Sequence, residues 1–575
     1  MYLRITQRHN RDGSTVSYYA LAESVWNADA KRREARVVHS FGRADQLDRA
    51  ELERLVKSIN RVLDDGNDAT SSAAASDRPE IEIEWVFELG IVLAARALWE
   101  ELGIGPAIRR YAEQAKLTAP HETALFAMAA NRLDDPVSKL ACAERWLPDI
   151  AWLPDAAGLA VDQCYRALDF LAVWADEIER DVFLKAADLF RLDVDLIFYD
   201  TTTAYFEIDE PDEDEQEWAG RLYAPLRKRG HSKEGRDNQP QVIIALAVTR
   251  DGMPVRSWVL PGERARERGN TADVTTVARI KDDLRAWRLG RCLFVGDAGM
   301  YSADNLAQLS RGLGRYILAV PMRRVRDIED EVLTRPGRYK QVADNLQVKE
   351  VWVGDGERRK RYVLCLNPQE AERERARRAQ LLVELGAELA LLEQREEDHP
   401  KAACELMASR RYGRYLSEDG RGRPQLDAAK VKAAEKFDGK FVVISNDDTL
   451  SAEDIALGYK GGWIIESCFR RMKQTGLRVR PMFHWTARRI EAHVKLCVLA
   501  LQMQRSAEIR TDLPWARVAH ALAALKAVRY RCESRTIVQR TKISAELSAM
   551  LKTLKVSVPK QVLSVEEPPS EAAAA

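Results

Sequence analysis

Three carboxylate residues occupy positions that favour a shared site. Asp200 follows the apolar run LIFY and Asp297 follows CLFVG, so we expect each aspartate at the end of a buried strand. Ligands gather at the carboxyl ends of strands in sheets with parallel neighbours. Glu466 lies in a helical pattern over 459–473, and separations of 97 and 169 residues allow all three to meet at one sheet edge. A single strand-end aspartate is more often a turn former, but the ordered set favours a site.

The donor chemistry of this set favours hard divalent ions. Three carboxylates without histidine or cysteine partners suit Mg²⁺ or Mn²⁺. Two such ions can activate an attacking oxygen and stabilise the leaving oxygen during phosphodiester cleavage. We therefore predict Asp200, Asp297 and Glu466 as catalytic residues and as ligands of two Mg²⁺ ions, with Mn²⁺ as a substitute. The sequence contains no G-x-x-x-x-G-K-[ST] motif, which disfavours a nucleotide-driven motor.

The predicted helix around Glu466 has two different faces. One face carries polar and small residues at i, i+3, i+7, i+11 and i+14: Tyr459, Gly462, Glu466, Arg470 and Lys473. The other face is apolar and is expected to be buried: Trp463, Ile464, Cys468 and Met472. We predict that Tyr459, Arg470 and Lys473 bind phosphates on either side of the metal site; the alternative is a solvated amphipathic face.

Charge is uneven along a chain whose 89 basic and 89 acidic residues balance. Residues 459–500 carry a net charge of +7 and residues 501–560 a net charge of +8, a pattern typical of polyanion binding. A second basic stretch, 221–236, predicts DNA contacts by His231, Lys233 and Arg236. The acidic run 207–217 holds eight carboxylates and is interpreted as a solvated loop rather than a mimic of a phosphate backbone.

The elements that position these residues alternate between strands and helices. The predicted order is a strand (196–200), a hairpin through Asp-Gly (241–249 and 254–262), a helix (273–287), a strand (292–299), a helix after Ser302 and a strand (315–320). This order indicates a mixed α/β sheet rather than a doubly wound one. Strand-like pieces and a long charged helix near 369–396 then interrupt the pattern. A strand at 441–445 and a helix beginning at Ser451 follow.

Length and composition indicate several folded regions. With 575 residues, 46% hydrophobic and 31% charged, the chain is no disordered regulator, collagen-like fibre or disulfide-stapled module. Its eight cysteines lack any C-x-x-C pair and are interpreted as small buried residues in a reducing cytoplasm. No signal peptide and no apolar run of about 18 residues is present, so no membrane association is expected. The predicted divisions are a small α+β domain (1–63), a linker (64–84), a helical domain for DNA binding or assembly (85–192), a catalytic core (193–321 and 441–505), an insertion (322–440) and a basic helical C-terminal region with a tail (506–575).

Several motifs together resemble the DDE transposases of bacterial insertion sequences. They are YDTTTAYFE (199–207), GHSKEGRDNQPQVIIALAVTRDGMPV (230–255), FVGDAGM (294–300) and YKGGWIIESCFRRMK (459–473). The nearest branch is the one named after insertion sequence four, whose signature is Tyr-(2)-Arg-(3)-Glu-(6)-Lys. The resemblance implies an RNase H-like core with a β-rich insertion, a catalytic triad of Asp200, Asp297 and Glu466, and a signature ending at Lys473. Gly462 stands where the signature has arginine, and Lys460 or Arg470 are the candidate substitutes.

The resemblance also implies a function. The protein would bind the terminal inverted repeats of its element as a homodimer, cleave the DNA ends and join the 3′-OH ends to target DNA, in the cytoplasm and at the nucleoid. Two alternatives remain: a nuclease on the same core without strand transfer, and a non-catalytic DNA-binding protein derived from a transposase. In related transposases a tryptophan can assist flipping of a base beside the cut, but Trp352 in the insertion is expected to serve core packing.

Overall fold

The chain divides into two compact units, Met1–Glu80 and Ile81–Ala575. The computed structural model describes residues 2–9, 15–27, 32–43, 81–192, 194–230, 232–262, 271–394 and 400–567. The described part of the first unit is an antiparallel sheet of β1 (Tyr2–His9), β2 (Thr15–Asn27) and β3 (Arg32–Arg43). The part of the predicted α+β domain that follows β3, and the predicted linker up to residue 80, lie outside the described residues.

The second unit opens with a strand and a set of helices. They are β4 (Ile81–Glu88), α1 (Gly90–Glu101), α2 (Ile104–Gln114), α3 (His121–Leu133), α4 (Lys139–Ala141) and α5 (Val161–Phe190), with a π-helical stretch at Cys142–Ile150. Apolar residues repeat every three or four positions in α1, α2 and α5, so each of these helices buries one face, whereas α3 is buried on nearly all sides. The helical pattern predicted for 85–192 is therefore present, although β4 reaches Glu88.

A mixed sheet follows the helices. Its region contains β5 (Leu196–Tyr205), β6 (Gln216–Trp218), β7 (Arg221–Tyr223), β8 (Lys228–Arg229), β9 (Pro240–Thr249), β10 (Pro254–Pro261), α6 (Thr271–Ala286), β11 (Leu293–Gly296), α7 (Ala303–Ser310) and β12 (Arg315–Val320). Five strands lie in the order β10–β9–β5–β11–β12. The first three pair antiparallel, whereas β11 is parallel to both β5 and β12. This topology is RNase H-like and confirms the predicted fold class.

The insertion continues this sheet rather than interrupting it. It contains β13 (Lys340–Ala343), β14 (Leu346–Val353), β15 (Lys360–Leu366), α8 (Pro368–Glu393), α9 (Pro400–Ala408), β16 (Leu416–Glu418), β17 (Pro424–Leu426) and α10 (Ala428–Glu435). The returning strand β18 (Lys440–Ser445) pairs antiparallel with both β12 and β15, and β14 and β13 extend the sheet further. Leu385 of α8 is buried with Tyr415 and Leu416, so the long charged helix packs within the molecule. Trp352 is half-buried, with the guanidinium carbon of Arg359 3.8 Å from its ring centre.

Both faces of the sheet are covered, because its side chains alternate between two cores. Phe198, Val295 and Ile317 face the two helices that follow β18, whereas Ile197, Phe294 and Leu318 face α6 and α7. The chain after β18 adds α11 (Ala452–Lys460), α12 (Trp463–Arg470), α13 (Ala487–Thr511), α14 (Trp515–Leu522), β19 (Lys526–Cys532), β20 (Arg535–Arg540), α15 (Ala545–Thr553) and β21 (Val562–Glu566). The nearly fully buried α13 packs against α3, α5 and β10.

Two predicted boundaries differ from the structure. Residues 81–84, assigned to the linker, belong to β4, and the C-terminal region predicted as helical contains three strands. These strands form one antiparallel sheet in the order β21–β20–β19–β4. The pairing of β4 with β19 joins segments that are hundreds of residues apart. Local periodicity does not reveal such a partner.

The cysteine prediction needs one correction. Cys404 is exposed and Cys292 and Cys532 are half-buried, whereas the other five cysteines are buried and none of the eight forms a disulfide. Among the described helices, none is both long and apolar enough to cross a membrane.

Candidate active site

Two neighbouring strands place Asp200 and Asp297 at the same edge of the sheet. The parallel pairing of β5 with β11 ends at Phe198 and Val295, and Asp200 lies two residues beyond it. The prediction that Asp200 ends its strand is wrong, because β5 continues to Tyr205 through its pairing with β9. Asp297 directly follows β11, and its Oδ1 accepts a hydrogen bond from the Gly299 amide at 2.9 Å.

A broken helix brings Glu466 to this edge. The helix predicted to begin at Ser451 is divided into α11, α12 and a π-helical stretch at Arg471–Thr475. It begins with a capping box formed by Ser451 and Asp454. The break falls at Gly461 and Gly462. A Cβ on Gly461 would lie 2.9 Å from Cζ of Phe198. The glycines therefore let the chain pass directly over β5, where Glu466 faces the aspartates across one cavity.

That cavity has a volume of about 290 Å³. Its lining comprises Phe198, Tyr199, Asp200, Val295, Gly296, Asp297, Phe441, Tyr459, Lys460, Gly462, Trp463, Ile465 and Glu466. The structure thus brings together the three predicted carboxylates. Burial, and then the charges of Asp297, Asp200 and Glu466, raise the pKa of Tyr459 to about 12. The Tyr459 phenol consequently keeps its proton at neutral pH and can donate a hydrogen bond.

The donors in this cavity fit a hard metal ion by type. All three are carboxylates, and these oxygen ligands suit Mg²⁺ and Mn²⁺. Within the described ranges, however, no three carboxylate, imidazole or thiol groups lie close enough together to form a ready-made metal-binding set. Oδ1 of Asp200 instead accepts hydrogen bonds from the Thr201 amide at 2.6 Å and from Lys233 Nζ at 3.2 Å.

The predicted phosphate ligands occupy different environments. Lys473 has a side chain only 8% exposed, and its Nζ donates to the Thr203 carbonyl oxygen at 2.5 Å and to Glu234 Oε1 at 2.8 Å. It is therefore not the solvated surface lysine of the alternative interpretation. Arg470 is exposed and does not line the cavity, whereas Lys460 does.

The basic loop before β9 also reaches the site. Lys233, predicted to bind DNA, contacts Asp200 and the Thr201 carbonyl oxygen within the protein. The guanidinium carbon of Arg236 lies 5.0 Å from the ring centre of Tyr205. His231 lies outside the described residues.

Exposed aromatic side chains near the site were missed from the sequence. Trp463, predicted to be buried, is 64% exposed at the cavity lined by the three carboxylates, because it is the first residue of α12 after the break. Phe483 and Trp485 are 66% and 68% exposed and line a second cavity of about 590 Å³. Lys473 and Arg480 line this second cavity too. The aromatic residues of RPMFHWT (480–486) stand beside polar residues, which could have indicated an exposed position. Apolar patterning instead assigns aromatic residues to a core.

Many cations of the basic segment are neutralised inside the protein. Asp169 pairs with both Arg488 and Arg489, and the buried Lys495 pairs with Glu179 at 2.6 Å. The charge of +15 over 459–560 therefore overstates the positive surface available to a polyanion.

Comparison with protein families assigns two segments of the chain. Residues 227–503 match the transposase DDE domain, which includes Asp297 and Glu466. The chain contains a transposase DDE domain. Residues 3–72 match the N-terminal domain of the IS1634 family of transposases. The narrower assignment to the branch named after insertion sequence four is therefore not confirmed. No curated protein matches the sequence.

Two solved transposase structures show distant similarity to this chain. One is the piggyBac transposase synaptic complex with hairpin DNA, at 9% identity over 76% of this chain and 79% of that chain, with a TM-score of 0.33. The other is the Mos1 transposase paired-end complex with the left transposon end, at 12% identity over 44% and 64% of the two chains, with a TM-score of 0.13.

Proposed function

We propose that this transposase binds the terminal inverted repeats of its insertion sequence, cleaves the DNA ends and joins their 3′-OH groups to target DNA. The observation that supports this most directly is the cavity lined by Asp200, Asp297 and Glu466 at the edge of an RNase H-like sheet. The proposal includes a homodimer on DNA and activity in the cytoplasm, at the nucleoid.

The residues of the two cavities have separate roles in metal binding and in DNA binding. The three carboxylates would hold Mg²⁺ or Mn²⁺, which when bound activates the attacking oxygen and stabilises the leaving oxygen. The protonated Tyr459 donates a hydrogen bond to a phosphate oxygen of the DNA. Lys460, on the same cavity, supplies the cation that the signature places at position 462. Lys473 and Arg480 contact the neighbouring phosphate from the second cavity.

Substitution of each carboxylate tests this assignment. We expect Asp200→Ala, Asp297→Ala and Glu466→Ala each to abolish cleavage and to leave binding of the terminal repeat largely intact, because different residues contact the DNA. Gel-shift and cleavage assays on the same preparations measure the two properties. Cleavage near the wild-type rate in any variant, or robust cleavage in excess EDTA, would contradict the metal-carboxylate mechanism.

Detection of element ends joined to target DNA would distinguish a transposase from a nuclease on the same core. A nuclease on the same core would release cut ends and never form the covalent joint with target DNA. The three carboxylates on one cavity argue against a non-catalytic DNA-binding protein, since such a protein would not need them together.

A further inference from the structure

One short loop, Ser232–Arg236, contacts both halves of the candidate site. Its Lys233 directs the ammonium group to Asp200 Oδ1 at 3.2 Å and to the Thr201 carbonyl oxygen at 2.5 Å. The Lys233 amide also donates to Thr203 Oγ1 at 3.1 Å, which ties the loop to β5. A cation of the protein thus lies against a carboxylate that we assign to a metal ion.

The next residue, Glu234, places an anion of the protein against two cations that we assign to DNA binding. Glu234 accepts hydrogen bonds from Lys473 Nζ at 2.8 Å and from Arg480 Nη1 at 2.5 Å, one on each carboxylate oxygen. Burial alone would raise the pKa of Glu234, but its hydrogen bond with Lys473 and the charges of Lys473 and Arg480 lower it. An anionic group held between an ammonium and a guanidinium has the arrangement that a DNA phosphate adopts with the same cations.

We propose that the loop Ser232–Arg236 is an internal substitute for both ligands of the free transposase, with Lys233 in the place of a metal ion and Glu234 in the place of a DNA phosphate. This inference rests on the proposed function. Glu234 neutralises Lys473 and Arg480, which are largely buried, and a buried unpaired charge is strongly destabilising. Binding of metal and DNA requires both side chains to leave.

The adjacency of the two residues has a thermodynamic consequence. Lys233 and Glu234 share one backbone segment, so displacement of either one loosens the other. Bound metal then increases the affinity for DNA, and bound DNA increases the affinity for metal by the same factor. The loop keeps the reactive site assembled in the protein alone and opens it when both ligands are present.

Metal binding without DNA tests the first half. We expect Lys233→Met to bind Mn²⁺ roughly three to ten times more tightly than wild type in titrations followed by electron paramagnetic resonance, because the competing ammonium is gone. Lys185→Met, which removes an exposed lysine of α5, is the matched control and should leave Mn²⁺ affinity unchanged. Unchanged or weaker binding in Lys233→Met would overturn the proposal.

Duplex binding without metal tests the second half. In EDTA, Glu234→Gln should bind a short random-sequence duplex more tightly than wild type, with a log–log salt slope steeper by about one unit. Glu388→Gln, at an exposed position of α8, is the control. Glu234→Asp retains the charge but is too short to bridge both cations, so its affinity should lie between wild type and Glu234→Gln. Weaker duplex binding in both Glu234 variants would show that Glu234 only supports the two cations.

The double variant tests the coupling. In wild type, the duplex should increase Mn²⁺ affinity, and in Lys233→Met/Glu234→Gln this increase should shrink because neither ligand has a protein group to displace. An unchanged increase would overturn the coupled displacement. All three measurements are equilibria that need no cleavage, so failure of the transposase assays would leave them interpretable.

Discussion

A buried lysine close to two histidines is the most unusual titratable group outside the active site. Lys139 Nζ lies 3.1 Å from His493 Nδ1. Burial, and then the charge of Arg132, lower the pKa of Lys139 to about 7. Burial also lowers the pKa of His484 to about 3, and the His484 and His493 ring centres lie 5.2 Å apart. The lowered pKa values keep both imidazoles neutral at pH 7, whereas Lys139 loses its proton as the pH rises through about 7.

This group predicts a pH dependence of stability. An unfolded lysine has its ordinary pKa of 10.5, so between pH 7 and 10.5 the unfolded chain binds more protons at Lys139 than the folded chain does. Stability should therefore rise with pH through this window, by up to about 1.4 kcal/mol per pH unit from this residue. Urea unfolding between pH 7.5 and 9.5 measures the slope, and Lys139→Met should remove that part of it. A Lys139→Met slope equal to wild type would contradict the assignment, whereas Lys185→Met serves as the control.

At the scale of elements, the join between α11 and α12 determines where Glu466 lies. Both glycines have ordinary negative φ angles, so space rather than backbone strain requires them. A Cβ on Gly461 would meet the buried Phe198 ring at 2.9 Å, whereas a Cβ on Gly462 would lie 3.1 Å from the Tyr459 carbonyl oxygen and 3.9 Å from Phe198. The two positions therefore differ in how much neighbouring structure must move.

Alanine substitutions at the join should separate these effects. We expect Gly461→Ala to destabilise the fold by about 1–3 kcal/mol through overpacking against Phe198, and to reduce cleavage by displacing Glu466. Gly462→Ala should change stability by less than about 1 kcal/mol, because its smaller clash is offset by the better helix propensity of alanine. Chemical denaturation measures the change in stability, and a cleavage assay measures the effect of displacing Glu466. Equal stability losses at both positions would show that Phe198 does not limit the approach.

Elements with a strong local pattern were predictable, whereas their non-local partners were not. The Asp-Gly hairpin between β9 and β10, the capping box at Ser451 and the strand leading to Asp297 all follow from a few adjacent residues. The extension of β5 beyond Asp200 depends on pairing with β9, and the exposure of Trp463 depends on Phe198 beneath the helix break. The sequence thus identified the carboxylates of the candidate site but not the loop residue Glu234, whose partners lie more than two hundred residues away.

At the scale of the whole molecule, ion pairs redistribute the charge that the sequence concentrates in one segment. Basic residues of 459–560 pair with acids of the helical region, for example Arg510 with Glu101 and Lys495 with Glu179. If all of the net +15 met phosphates, the log–log salt slope of DNA binding would be about −13. We expect a slope less than half as steep, measured on the terminal repeat across a salt series. A slope near −13 would show that DNA displaces the internal acids.

The division into two units predicts that the larger one folds alone. The catalytic cavity and both sheets that contain β5 and β4 lie within Ile81–Ala575, which is a compact unit by itself. A chain of residues 81–575 should therefore unfold cooperatively in urea, with the midpoint of its main transition close to that of the full chain, and should retain Mn²⁺ binding.

Removal of the C-terminal residues provides the contrast. A chain ending at Ser544 loses α15, whose Leu547 and Leu551 are buried, and the edge strand β21, so it should lose several kcal/mol of stability. If residues 81–575 instead failed to fold while the C-terminal truncation remained stable, the first unit would be an essential part of the catalytic fold.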